Sequence, residues 1–272
     1  MPSELRERLD LAITLALEAG DSTLPYFQVE VAVEQKADGS PVTMADRGAE
    51  QLLRKRLAVA APDDAIVGEE FGSKEGTSGY TWYLDPIDGT QAFVRGVPLY
   101  GTMIGIERGA EAVAGVIAFP ALREIVFAAK GMGAWHAARL PLGLKGSQVP
   151  SARPARVSAT SSLAEAMFSC TSPRLFHEAG LDDAYRRIIG ATGSSRGWSD
   201  CYGHYLVATG RIDVMADVRM HVWDNAPLKP IVEEAGGRFS DLRGGPSIHG
   251  DSAITSNGTL HEAVLSLLAY RR

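Results

Sequence analysis

With 272 residues, 45% apolar and 22% charged, the chain is long enough to bury a large core, as one big domain or two intimate halves, and has the composition of a soluble globular protein. Its formal net charge of −6 argues against a broad nucleic-acid-binding surface. It leaves an anionic substrate open, because bound divalent cations reverse the sign locally.

Residues 1–20 lack the basic start and unbroken apolar run of a signal peptide. Leu5, Leu9, Ile13, Ala16 and Leu17 recur at helical spacing, which predicts an amphipathic helix over 3–20 closed by Gly20. Lys36-Ala37-Asp38-Gly39-Ser40-Pro41 reads as a turn, and a second helix follows at 44–60. Ala65-Ile66-Val67 and Trp82-Tyr83-Leu84 are short apolar runs that each end in acids, as buried strands delivering ligands would. Between them, Phe71 to Tyr80 is rich in Gly, Ser and charge and predicts a mobile loop near the site. Residues 99–107 and 112–119 predict a hairpin turning at Arg108–Glu111, continued by 125–129 and 133–135 in one antiparallel sheet.

Arg139 to Pro154, rich in Pro and Gly, is the candidate linker. Beyond it, 156–158, 167–169 and 212–215 read as strands and 174–189, 199–210, 225–236 and 259–270 as helices. The pattern predicts an α+β half (1–140) followed by an α/β half (155–272), joined as one unit. No window approaches the ~20 apolar residues that span a bilayer, so no membrane partner is expected. Cys170 and Cys201 have no CxxC pairing, which favours reduced thiols and a cytoplasmic location.

The densest chemical signal is Trp82-Tyr83-Leu84-Asp85-Pro86-Ile87-Asp88-Gly89-Thr90. Two carboxylates stand three residues apart where an apolar strand gives way to a turn. Pro86 stiffens the backbone between them and Gly89 permits an unusual φ. Asp and Glu oxygens are the hard ligands that Mg²⁺ prefers, and amides heading a following helix favour an anion. Asp88 also suits a helix N-cap, so an acidic capping turn is the plain alternative. The D-x-D-x-D-G spacing of a calcium loop is missing.

Gly68-Glu69-Glu70, the Asp85–Thr90 segment, Trp223-Asp224 and Glu233-Glu234-Ala235-Gly236-Gly237 together resemble the inositol monophosphatase-like family of Mg²⁺-dependent phosphatases. The resemblance runs from about residue 5 to 268. It implies a layered αβαβα fold with the site at the junction of the halves, and a homodimer. It implies two or three Mg²⁺: one held by Glu69, Asp85 and the Ile87 carbonyl, a second by Asp85, Asp88 and Asp224. Glu70 and Asp46 would serve a third, weaker site, and Lys36 is a further candidate. The resemblance also implies that Asp88, Gly89 and Thr90 surround the phosphate, and that Glu69 with the Thr90 hydroxyl orients and deprotonates the attacking water. Asp46 is counted with that catalytic group. Pro227 stands where the family keeps a small residue, and is compatible near a helix start.

The substrate expected is a small phosphate ester, and the leaving alcohol must be read from other residues. Asp200-Cys201-Tyr202-Gly203 replaces the small Gly-Ser-Ala-Ala-type helix start of inositol phosphatases, and resembles the histidinol-phosphate phosphatase branch. An ammonium and an imidazole call for carboxylates, which Asp200 and Asp217 supply, with Asp224 close by and Tyr202 as a pocket-lining or core side chain. His204 reads as structural. His221-Val222-Trp223-Asp224 looks more like the inositol branch, so inositol 1-phosphate and a promiscuous phosphatase stay open. A silent phosphate-binding protein would instead have a broken metal set.

Overall fold

The computed structural model describes residues 2–30, 32–35 and 41–269; the turn expected at 36–41, with Lys36, lies outside them except for Pro41. Helix α1 (Pro2–Thr23) leads to a short antiparallel pair, β1 (Val33–Gln35) and β2 (Pro41–Thr43), and then to α2 (Met44–Ala60). Strands β3 (Ala65–Gly68), β4 (Gly72–Lys74) and β5 (Tyr80–Asp88) follow, with the short α3 (Thr90–Val94). Next come β6 (Gly101–Arg108), β7 (Glu111–Phe119), β8 (Glu124–Ala129), β9 (Ala134–Ala137) and β10 (Arg153–Pro154). The remainder is β11 (Met167–Ser169), α4 (Pro173–Glu178), α5 (Asp182–Ala191), β12 (Ser194–Arg196), α6 (Asp200–Ala208), β13 (Val214–Asp217), α7 (Val222–Glu234), β14 (Arg238–Ser240), β15 (Ala253–Ser256) and α8 (His261–Leu268).

Strands β10-β9-β8-β7-β6-β5-β3-β4 form an eight-stranded sheet and β12-β11-β13-β15-β14 a five-stranded one. Helices α1 and α2 cover one face of the larger sheet, α6 and α7 fill the space between the sheets, and α5 and α8 cover the far face of the smaller one. The result is the αβαβα stack expected from the sequence. Central strands β6 and β7 are buried on both faces, which is why they read as apolar runs with little alternation.

The approach of α7 to that sheet depends on two glycines. A Cβ on Gly115 would stand 2.2 Å from the Pro227 carbonyl oxygen, and one on Gly105 2.5 Å from the Ala226 Cβ. Pro227 does not lie near the helix start: His221 is the N-cap, so Pro227 sits in the second turn and Pro230 beyond it. The glycine strip lets the helix backbone lie directly on the strands at Ala226 and Pro227.

Several expectations are corrected. Helix α1 passes through Gly20, which packs beside Pro120. The helix expected over 174–189 breaks at Gly180, which adopts a φ of 70° and separates α4 from α5. Residues 156–158 form no strand; Val157 N–H bonds to the Ala235 carbonyl outside the sheets. The 139–154 stretch packs on the larger sheet: Leu140 is buried, Leu144, Val149 and Ala152 lie against the α1 core, and β10 extends the sheet edge. Residues 71–80 begin as β4 paired to β3, and their tip folds back onto Asp63, whose carbonyl accepts from Thr77 and Ser78 at 2.7 and 3.0 Å. That tip is at the opposite end of β3 from Glu69. Cys170 and Cys201 are free and buried. No helix among the described residues is long and apolar enough to cross a membrane.

Candidate active site

Strand β5 runs parallel to β3 and antiparallel to β6, and its register slips between Asp85 and Asp88. Pro86 lies in that slip, with its carbonyl accepting from Thr102 Oγ1 at 2.8 Å. The Asp85 carboxylate accepts from Ile87 N–H at 3.0 Å. The chain then turns through Gly89, at φ 83°, into α3. The slip and the glycine allow Asp85, Ile87, Asp88, Gly89 and Thr90 all to face one cavity of about 690 Å³ between the two sheets. Glu69, at the end of β3, lines the same wall, its N–H bonded to the Leu84 carbonyl at 3.1 Å.

The opposite wall comes from the smaller sheet and its helices. Asp224 enters from the first turn of α7, where it caps the helix by accepting from His221 N–H at 2.7 Å. Oxygens of Asp85, Asp88 and Asp224 lie within 4.8 Å of one another. Burial, and then the charges of Glu69, Asp88 and Asp224, push the Asp85 carboxyl well above the usual aspartate range. Burial and the Asp88 charge do the same to Asp224. Burial raises Asp88 as well, against hydrogen bonds from Cys201 that lower it. Carboxylates crowded this way are unfavourable unless protonated or bound to a cation. The donor set is all oxygen, so the residues fit a hard divalent ion.

Thr90 Oγ1 donates to the Ile87 carbonyl at 3.1 Å and approaches Asp46 Oδ1 at 3.5 Å. Asp46 does not line the cavity. It is buried behind Thr90, where its other oxygen accepts from Thr43 N–H (2.8 Å) and Oγ1 (2.6 Å) in a capping box. Glu70 does not line the cavity either, and its N–H is held by Glu50 at 2.7 Å.

Asp200 also lines the cavity. It opens α6 at φ 55°, a left-handed conformation uncommon for a side-chain-bearing residue. Its Oδ2 sits 3.1 Å from the Cβ position of Gly89, so a side chain there would crowd it. Burial, then the charges of Asp88 and Asp217, raise its carboxyl well above the usual range. Asp217 lines the wall too, but its oxygens accept from Thr171 N–H (2.8 Å) and Oγ1 (3.0 Å). Thr171 Oγ1 in turn accepts from Asp200 N–H at 2.8 Å, so Asp217 holds Asp200 in place through Thr171. His204 is structural, with Nδ1 2.7 Å from Thr255 Oγ1 and Nε2 3.3 Å from Asp217.

Tyr202 is a correction. It lies on the far face of α6, edge-on to Phe119 at 5.3 Å and beside Tyr205, and does not reach the cavity. Three contributors escaped sequence reasoning: Thr171, the N–H of Cys201 and Glu50. For Glu50 a signal exists, since it falls with Asp46 on the buried, otherwise apolar stripe of α2. For the other two nothing in the local pattern points to the site.

Acidic oxygens gathered at the seam of an αβαβα stack, facing amides at a glycine turn, define a metal-assisted phosphate-ester hydrolase. The sequence pattern of the inositol monophosphatase family matches residues 4–270. The chain belongs to that metal-dependent family and is a phosphoric monoester hydrolase. It is 39% identical to a histidinol-phosphatase of Chlorobaculum parvum over 96% of each chain, and 37% identical to one of Streptomyces coelicolor over the whole of both. An inositol monophosphatase structure from Zymomonas mobilis superposes with a TM-score of 0.81 at 31% identity, covering 98% of each chain.

Proposed function

We propose that the enzyme hydrolyses L-histidinol phosphate to L-histidinol and phosphate. The observation that carries this reading is Asp200, a half-buried acid that lines the cavity and is held in a left-handed conformation beside the Gly89 turn. Histidinol brings an ammonium and an imidazole, and a desolvated carboxylate is the partner both favour. The two histidinol-phosphatases named above support the same assignment.

In this reading Glu69, Asp85, Asp88, Asp224 and the Ile87 carbonyl hold divalent ions, Mg²⁺ by the all-oxygen donor set. The ions supply charge neutralisation at the phosphoryl oxygens and lower the pKa of water. The chain's own residues do the rest. The Gly89 and Thr90 amides orient the phosphate. The Thr90 hydroxyl, fixed by Ile87 and Asp46, positions a water opposite the leaving group, and Glu69 accepts its proton. The water oxygen bonds to phosphorus, the bond from phosphorus to the alcohol oxygen breaks, and that oxygen takes up a proton. No covalent enzyme intermediate forms. A homodimer and a cytoplasmic location belong to the same proposal.

The second reading, inositol 1-phosphate, rests on the His221-Val222-Trp223-Asp224 sequence, which resembles the inositol branch and whose His221, Trp223 and Asp224 line the cavity. The deciding experiment measures kcat/KM for both esters with saturating Mg²⁺. A preference of about a hundredfold for histidinol phosphate, ~2.7 kcal/mol at the transition state, is expected. The reverse preference overturns the assignment.

A further inference from the structure

Glu50 is fully buried on α2, and nothing in the chemistry described so far uses it. Its Oε2 accepts from Glu70 N–H at 2.7 Å, and its Oε1 accepts from Phe71 N–H at 3.2 Å and from Arg54 Nε at 2.7 Å. Arg54 reaches on to donate to the Gly72 carbonyl. A Cβ on Gly68 would stand 2.1 Å from Glu50 Oε1, so the carboxylate occupies the space that glycine leaves. The turn from β3 to β4 is therefore gripped on both sides of Glu69: its own N–H by Leu84 on β5, and the next two by Glu50.

Glu50 stands one helical turn beyond Asp46, and Arg54 one turn further, on a single face of α2. The same helix face thus braces Thr90 through Asp46 and the Glu69 turn through Glu50 and Arg54. We propose that Glu50 is a positioning residue which, with Arg54, fixes the Glu69 turn and so sets the affinity of the site for its divalent ion. This rests on the reading of Glu69 as a metal ligand.

A buried ion pair that only stabilises the fold predicts something different, and the molecule contains one for comparison. Asp64 is equally enclosed, bonded to Arg8 at 2.8 Å through both oxygens and to Trp82 Nε1 at 2.8 Å, at the other end of β3 from Glu69.

The test is Mn²⁺ binding followed by electron paramagnetic resonance on the full chain, alongside melting temperature and steady-state kinetics. Glu50→Gln is expected to weaken Mn²⁺ roughly ten- to hundredfold, the range seen when groups supporting a ligand are removed. The fall in kcat should follow, with KM at saturating metal nearly unchanged. Asp64→Asn should lower the melting temperature comparably and leave Mn²⁺ affinity at the wild-type value. Arg54→Gln alters a partly exposed side chain, so it reports even where Glu50→Gln does not fold, and a several-fold weakening is expected. Wild-type Mn²⁺ affinity in Glu50→Gln or Arg54→Gln, or equal weakening in Asp64→Asn, overturns the proposal. Mn²⁺ affinity equal in wild type and Glu69→Gln would instead overturn the reading of Glu69 as a ligand beneath it.

Discussion

The backbone N–H of Cys201 donates to Asp88 Oδ2 at 2.6 Å, joining residues 113 positions apart. Asp88 thereby caps α6 from outside, while its carboxylate stands in the acidic cluster with Asp85 and Asp224. The helix that begins with Asp200 is tied to the cluster by this bond, so the group proposed to select the alcohol and the groups proposed to hold metal share one support.

The two roles of Asp88 separate by substitution. Asn keeps an oxygen that accepts from Cys201 but loses the charge. Asp88→Asn is expected to cut kcat at least about a hundredfold, ~2.7 kcal/mol, with little change in melting temperature. Asp88→Ala should lose the same activity and a further ~1–2 kcal/mol of stability, because the Cys201 N–H is left unpaired. Thermal denaturation and phosphate release on both variants check this; equal stability would mean the cap contributes nothing.

Asp200→Asn tests specificity. Asn tolerates the left-handed conformation, so the backbone is preserved while the charge goes. The value of kcat/KM for histidinol phosphate should fall roughly ten- to hundredfold, about 1.4–2.7 kcal/mol, and that for an aryl phosphate by less than about threefold. Equal losses on the two substrates would remove Asp200 from substrate selection.

Metal binding and pH are linked through the raised carboxyls. Asp85 and Asp224 have native pKa values above the ordinary 3.8, so without metal their contribution to stability is complete below that value. It is lost as pH rises through the raised native values, because the unfolded chain ionises first. Mg²⁺ takes the place of the protons, so its stabilisation should grow as pH rises above 3.8 through the raised native values. At a hundred times its dissociation constant it should add roughly 2.7 kcal/mol, or roughly 5–10 °C in melting temperature. Melting curves in EDTA and in Mg²⁺ across that range read it directly; a gap independent of pH would rule the linkage out.

His261 titrates in the opposite sense. It is buried between Ser240 Oγ and Ser256 Oγ, each 2.9 Å from a ring nitrogen, and burial lowers its pKa from 6.5 to about 4. The stability this neutral ring contributes is present above pH 6.5 and is lost as pH falls towards 4, because the unfolded chain takes up the proton first. The loss should approach about 3 kcal/mol. Denaturant unfolding of wild type and His261→Gln compares the slopes, and the variant should be flatter in this window.

Much of the fold was legible because its signals are local. The hairpin of β6 and β7, the helix at 44–60 and the acids closing β3 and β5 follow from periodicity and turn chemistry within a few residues. Errors arose where packing overrode a local rule. Gly20 is carried inside α1 rather than stopping it, and Pro227 lies in mid-helix with its carbonyl against Gly115. The polar 71–80 segment resembled a loop at the site, yet its tip is bonded to Asp63 at the other end of the strand.

The sequence by itself determined which carboxylates end the strands beside a glycine turn, because that chemistry is written in neighbouring residues and their backbone preferences. Tertiary structure decided which distant groups complete the site. Cys201 meets Asp88, Thr171 links Asp217 to Asp200, and Glu50 grips the Glu69 turn, while Tyr202 turns away into the core. These pairings depend on the order of strands in two sheets and on the face each helix presents when the layers close. No spacing along the chain encodes those distances, since each is set by the packing of the whole interior.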